Sequence, residues 1–352
     1  MKKKLIISLC FLLVAVMTVP YLTSCSDNRG ETVMSYGDVS ISENLYFYEL
    51  ALMKSETLQK YTGSITDVPA VWTQVLGEDV TFDDYTYLEC QVNIKTRLYF
   101  ADYALQHDAD LTSEEKKEIE TQLDKIVDQF GSKEALNKYL ETYYMDYKML
   151  EEYYELYALY NKGLSMAFSE GGGHQIPVED AYQYYKNNFV TVKHIAVGTE
   201  LAGADEDGNY IYYTEEEKAL KQEAIDTIAA ALESGEDFDK YIGYSEDGFA
   251  DNYPNGYTIT RGVLDDAMDG YENVAFSLKE GEWDTFELEG MGVYFIKRVP
   301  ILESDFSNCY STIMTNLLQV KMAQIILDKN DEFTVNEEIV DRYNMAMIPV
   351  IT

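Results

Sequence analysis

The chain has 352 residues, with 27 Lys+Arg against 63 Asp+Glu and a formal net charge of −36 at pH 7. That balance excludes a nucleic-acid partner, because phosphate binding needs a basic face; it reads instead as a solvated acidic surface that keeps a protein soluble. With only three histidines and four scattered cysteines, no zinc-type site is legible, and neither a metal nor any other cofactor is expected.

The N-terminus carries Lys2, Lys3 and Lys4, then an almost wholly apolar run from Leu5 to Val19. The run is short for a bilayer span, which takes about 20 residues, and has the length of a secretion-signal core. It ends in Leu22-Thr23-Ser24-Cys25, followed by the polar stretch Ser26 to Thr32. Leu22 to Cys25 resembles the lipobox of bacterial lipoproteins, in which the cysteine takes a diacylglyceryl group. The resemblance implies a removed signal peptide over 1–24, lipidation at Cys25, a tether over 25–32, and a place on the extracytoplasmic face of the cell membrane. An ordinary signal peptide with a chance cysteine is the alternative. Of the other cysteines, Cys10 leaves with the signal, while Cys90 and Cys309 fall in helical patterns, as free thiols or as a pair.

Residues 33–41 alternate around Gly37-Asp38 and predict a short hairpin. Ser42 caps a helix to about Gln59, residues 60–80 read as loop, and a second helix runs from about Phe82 to Gln106. Thr112-Ser113-Glu114-Glu115 is a capping box, and its helix stops at Gly131. Ser132 then caps a helix to about Lys162 that is dense in tyrosine: Tyr139, Tyr143, Tyr144, Tyr147, Tyr153, Tyr154, Tyr157 and Tyr160. Such a helix either packs on several neighbours with its phenols reaching water, or presents an aromatic groove to unfolded polypeptide.

Gly171-Gly172-Gly173 reads as a flexible linker. After it come a short helix (178–187), a strand (191–197), a polar insertion and a helix (215–232). A shorter helix (238–244), a strand (257–260), a helix (268–277) and two strands (283–288, 292–298) follow, the last two antiparallel. A final helix spans about 305–328. The fold class is α+β: a helical domain over 33–170, a linker and short helix over 171–191, a domain with a mixed sheet flanked by helices over 192–300, and a C-terminal helix within 301–352 that returns to the helical domain.

Residues 192–298 resemble a parvulin, a peptidyl-prolyl cis/trans isomerase domain. The matching stretches are Lys193-His194-Ile195-Ala196-Val197, Phe238-Asp239-Lys240-Tyr241, Ala275 to Glu282, and Gly292-Val293-Tyr294-Phe295-Ile296-Lys297. The hairpin and helices before this stretch and the helix after it resemble the PrsA/SurA family of extracytoplasmic foldases, whose flanking segments form one chaperone domain. The family implies partners that are unfolded or newly exported polypeptides. Carried over residue by residue, it makes His194 the first-strand histidine, puts Asp247 near the acidic or thiol position, and puts Leu264 and Tyr271 near the methionine and phenylalanine of the proline cup. Two positions depart from the pattern. Tyr294 stands where the second histidine belongs and Ile259 where the second strand usually has an aromatic; the segment 263–270 is also about three residues long for the family.

An X-Pro amide has isomers of similar energy behind a barrier of about 18–20 kcal/mol. Catalysis requires only that the twisted amide be held better than the planar one, so no metal or covalent step is called for. Losing a histidine to Tyr294 predicts isomerase activity that is weak or absent, with suppression of aggregation retained. The reading is therefore a membrane-anchored folding factor with a weakened parvulin site, or alternatively a non-catalytic holdase carrying an inert parvulin module. A solute-binding lipoprotein is the remote alternative, since no two-lobed pattern of repeated strand–helix units is visible.

Overall fold

The computed structural model describes residues 29–77, 79–204 and 209–351; the expected signal peptide and Cys25 lie outside the described residues. The architecture is α+β, and the chain divides into two compact units. The first runs through Leu164 and resumes with Asn330–Thr352; the second is Ser165–Lys329. Among the described residues, no helix is long and apolar enough to cross a membrane.

In the first unit the expected hairpin is present, Thr32–Tyr36 pairing antiparallel with Val39–Ser42. Its turn is glycine for a physical reason. Gly37 sits at φ +53, and a Cβ there would lie 2.2 Å from Asp102 Oδ1, the same oxygen that accepts from the Asp38 amide at 2.9 Å. Helices Glu43–Thr62, Phe82–Gln106 and Ser113–Phe130 follow. The latter two open at full capping boxes, Thr81 with Asp84 and Thr112 with Glu115.

The tyrosine-rich helix differs from expectation. It is broken into Lys133–Leu140, a 3-10 turn over Glu141–Tyr143, and Tyr147–Phe168. Tyr144 takes a left-handed conformation at φ +56, and the helix restarts because Asn137 Oδ1 accepts from the Tyr147 amide and Asp146 Oδ1 from Met149. Several of the tyrosines pack on one another. Tyr153 meets Tyr48 edge-on at 5.4 Å, and the Arg97 guanidinium, ion-paired to Glu49, lies over the rings of Tyr153 and Tyr157.

The expected return of the C-terminal helix needs correction. Helix Phe306–Asp328 belongs to the second unit, where Ile313 and Leu317 are buried with Ile176, Ala181, Tyr185 and Phe189. The return is made by the residues after it. Thr334–Val335 adds a third antiparallel strand to the hairpin, and the tail then crosses the first helix: Lys54 Nζ donates to Ile348 O at 2.7 Å, Tyr143 Oη to Val350 O at 3.1 Å, and the Ile351 amide to Ser55 Oγ at 2.7 Å. Lys54 is fully buried, pairs with Asp67 at 2.5 Å and lies over the Trp72 ring, whose Nε1 donates to the same carboxylate.

The glycine run is likewise a closed turn. The Gly172 amide bonds Ser169 O and the His174 amide bonds Ala167 O at 2.8 Å; the division between units falls at Ser165 instead. Helix Val178–Asn188, expected as part of a linker, is integral to the second unit through the cluster it shares with Phe306–Asp328.

The second unit is built on a four-stranded sheet ordered Tyr257–Thr260, Phe189–Gly198, Gly292–Val299, Trp283–Leu288. All three pairings are antiparallel, so this sheet is antiparallel and not mixed. Side chains alternate across it. On one face Ile195, Val197 and Phe295 pack against Ile225, Ile228 and Leu232 of helix Glu215–Glu233. On the other, Val190, Val192, Ile259 and Ile296 pack against Tyr271 and Ala275 of helix Asp269–Ser277. His194 falls on this second face.

Removing the Lys54 ammonium should loosen the tail. Lys54→Met keeps the aliphatic stem but strips a donor from Asp67 and Ile348 O, and a hydrogen bond to a charged group contributes about 1.5–3 kcal/mol. Urea unfolding should show a loss in that range, and limited proteolysis should release residues 344–351 sooner than in wild type.

Candidate functional site

His194 is 5% exposed on the longest strand of the sheet, and both ring nitrogens are bonded. Nε2 meets Asp247 Oδ2 at 2.5 Å, and Nδ1 meets Tyr271 Oη at 2.8 Å. Asp247 is itself held: its Oδ1 accepts from Ser245 Oγ at 2.8 Å and from the Phe249 amide at 3.1 Å. Ser245 Oγ in turn accepts from the Ala196 amide on the His194 strand, and the Glu246 amide donates to Ala196 O. Segment 245–249 is thus stitched to the strand at Ala196, two residues past the histidine.

The electrostatics agree with this geometry. Burial by itself raises the Asp247 carboxyl; the hydrogen bond and charge of His194, the Phe249 amide and the Ser245 hydroxyl outweigh it and hold the group at about 2. An ionised carboxylate only accepts, so Nε2 carries the hydrogen towards Asp247. The Tyr271 phenol is pushed up by burial and by the Asp247 charge. It stays protonated, able to give its hydrogen to a bare Nδ1 or to accept from a protonated one.

Aromatic and apolar side chains close around this polar core. Phe249 lies 3.9 Å from the His194 ring, centroid to centroid, and touches Tyr253 and Tyr257 in turn. Leu264, Met268, Phe286 and Tyr294 are partly buried against the cluster that holds Tyr271 and Ile259.

The residues singled out from sequence come together on one sheet face, in roles that differ from expectation. His194 and Asp247 bond directly. Tyr294, expected to stand in for the second histidine, meets the His194 ring edge-on at 5.6 Å; the phenol that bonds Nδ1 belongs to Tyr271, expected only as cup wall. Tyr294 is pushed up by burial, with the Asp247 charge adding to it. Ile259 is 1% exposed and pairs with Val190, so it floors the cluster. Leu264 is partly buried against the cluster that contains Tyr271.

Sequence reasoning passed over Ser245, Phe249, Met268, Phe286 and Glu272. The spacing Ser245-x-Asp247-x-Phe249 is a usable signal, because an aspartate that bonds the amide two residues on is a local turn motif. Met268 was hidden by the extra length of 263–270, which folds as the 3-10 turn Asp266–Met268.

No family model and no curated protein matches the chain. Among solved structures it is similar to the peptidylprolyl isomerase PrsA from Bacillus cereus (18% identity, 77% of this chain and 90% of that one, TM-score 0.28). It is similar also to PrsA from Bacillus subtilis (18% identity, 88% and 90%, TM-score 0.24) and to the foldase protein PrsA from Streptococcus pneumoniae (14% identity, 77% and 97%, TM-score 0.26).

Proposed function

We propose that the chain is an extracytoplasmic folding factor, anchored through Cys25, whose second unit carries an altered parvulin-type prolyl isomerase site and whose first unit holds unfolded polypeptide. The observation that carries the isomerase reading is His194 fixed between Asp247 and Tyr271, on the sheet face where Leu264, Met268 and Tyr294 pack partly buried against the Tyr271 cluster. A proline ring needs an apolar cup, and its amide needs fixed polar groups beside it. Rotation about the C–N bond transfers no proton, so the groups must be positioned, not exchangeable. A phenol in the place of an imidazole meets that requirement.

The holding function rests on the first unit. A cavity of about 340 Å³ there is lined by Leu52, Met53, Glu56, Tyr153, Tyr154 and Tyr157, among others, and Tyr144 and Tyr157 remain largely exposed. Exposed aromatic surface of this kind suits transient contact with unfolded chains.

The test is acceleration of proline-limited refolding by the soluble mature chain. Activity is expected, slower than that of a parvulin with both histidines. His194→Ala should lower kcat/KM on the order of 10²-fold. Tyr271→Phe, which removes one positioned hydrogen bond, should lower it roughly tenfold, and Tyr294→Phe by several-fold less. No acceleration by wild type, with aggregation of a client still suppressed, would leave the holdase reading in possession.

The His194–Asp247 pair also sets a pH window. The folded pKa of Asp247, about 2, lies below its ordinary 3.8, so its contribution to stability is complete above about pH 4 and is lost as pH falls through about 2. The stability gap between wild type and Asp247→Asn should therefore close across that window in acid unfolding. Anchoring is tested separately: Cys25→Ser should leave the membrane fraction or accumulate as precursor, and unchanged fractionation would remove the anchor from the proposal.

A further inference from the structure

Glu272 is a buried carboxylate that the isomerase reading has not used. It is 4% exposed, and three consecutive backbone amides converge on it: Gly262 donates to Oε2 at 2.8 Å, Val263 to Oε1 at 3.2 Å and Leu264 to Oε1 at 3.1 Å. The loop wraps the carboxylate as such concave runs of amides wrap anions. Gly262 makes the wrap possible at φ +73. The neighbouring guanidinium of Arg261 is turned aside to Asn273 Oδ1 and the Phe276 ring.

The third amide in the wrap belongs to Leu264, whose side chain packs against the cluster that holds Tyr271. Tyr271 and Glu272 are consecutive on helix Asp269–Ser277. One holds the histidine and the other holds the loop that carries the rim of the cup. We propose that Glu272 is a positioning residue of the prolyl site: it fixes residues 262–264 so that Leu264 stands as a set wall against the proline ring. The proposal rests on the isomerase reading and extends it to a residue that does not touch the substrate. A carboxylate clamped by amides is hard to replace. Alanine leaves three amides without a partner, and glutamine presents an NH2 group where an acceptor is needed.

The experiment uses the soluble mature chain and an Xaa-Pro peptide, with affinity read by titration and turnover read separately. In Glu272→Gln and Glu272→Ala, amide hydrogen exchange at residues 262–264 should quicken. Peptide affinity should fall about tenfold, and kcat should change less than KM, because His194 and Asp247 stay in place. Leu264→Ala should cost a similar factor, and the double variant Glu272→Ala/Leu264→Ala should be no worse than either single one. Faster exchange with unchanged affinity would overturn the proposal, leaving Glu272 a structural staple only. Additive losses would overturn it too, since Glu272 would then act other than through Leu264. A wild type that binds the peptide at Leu264 without turnover removes the catalytic reading and leaves the positioning role to be decided by the same variants; a wild type that binds no peptide overturns both.

Discussion

A polar ring buried in the apolar face of a sheet must have both nitrogens bonded, and His194 is such a ring. Leaving one buried donor or acceptor unmade costs about 1–3 kcal/mol. The fully buried sheet residues around it, Val190, Val192, Ile259 and Ile296, are all aliphatic, and the partners come from elsewhere: Asp247, 53 residues on, and Tyr271, 77 residues on. Both are thereby tied to one strand position. The Phe249 ring over the imidazole and the stitching of Ser245 and Glu246 to Ala196 follow from that placement.

Helix Asp269–Ser277 is the strut of the arrangement. Adjacent helix positions point about 100° apart, which lets Tyr271 face the strand while Glu272 faces loop 262–264. Ala275, fully buried one turn on, lets the helix lie close to the sheet, and Gly270 has the same effect at its start, where a Cβ would lie 2.3 Å from the Phe286 ring. Small residues at these two positions set the height of the tyrosine above the histidine.

Much of this was legible in the residues. The capping box from Thr112 to Glu115, the alternation around Gly37, and the strand that carries His194 were all readable, because each is a local pattern with one physical solution. The partner of the histidine was not. Tyr294 is a strand neighbour by position, but it pairs with Ala196 while Ile296 stands opposite His194, so its ring reaches the imidazole edge-on. Tyr271 arrives from a helix, and no spacing rule relates it to the strand. The break at Tyr144 was illegible for another reason: the bonds that hold it include one distant in sequence, Asn44 Nδ2 donating to Tyr144 O at 2.6 Å. The strand Thr334–Val335 is two residues long, too short for any alternation to show.

The two groups bonded to His194, the Asp247 carboxylate and the Tyr271 phenol, decide what the network can do with protons. A phenol pushed upward by burial stays protonated throughout the physiological range, and a carboxylate held near 2 stays ionised. The members on either side of His194 are therefore fixed in charge. For acid–base chemistry that would be a defect, since a proton relay needs groups that titrate near the working pH. For rotation about an X-Pro amide it is no defect, because the barrier is lowered by holding the carbonyl and the ring in the twisted geometry, with dipoles that do not reorganise. On the proposed isomerase reading, groups fixed in charge on both sides of His194 suit rigid positioning. That places the burden of any lost activity on how well the rim, Leu264 above all, is held in place.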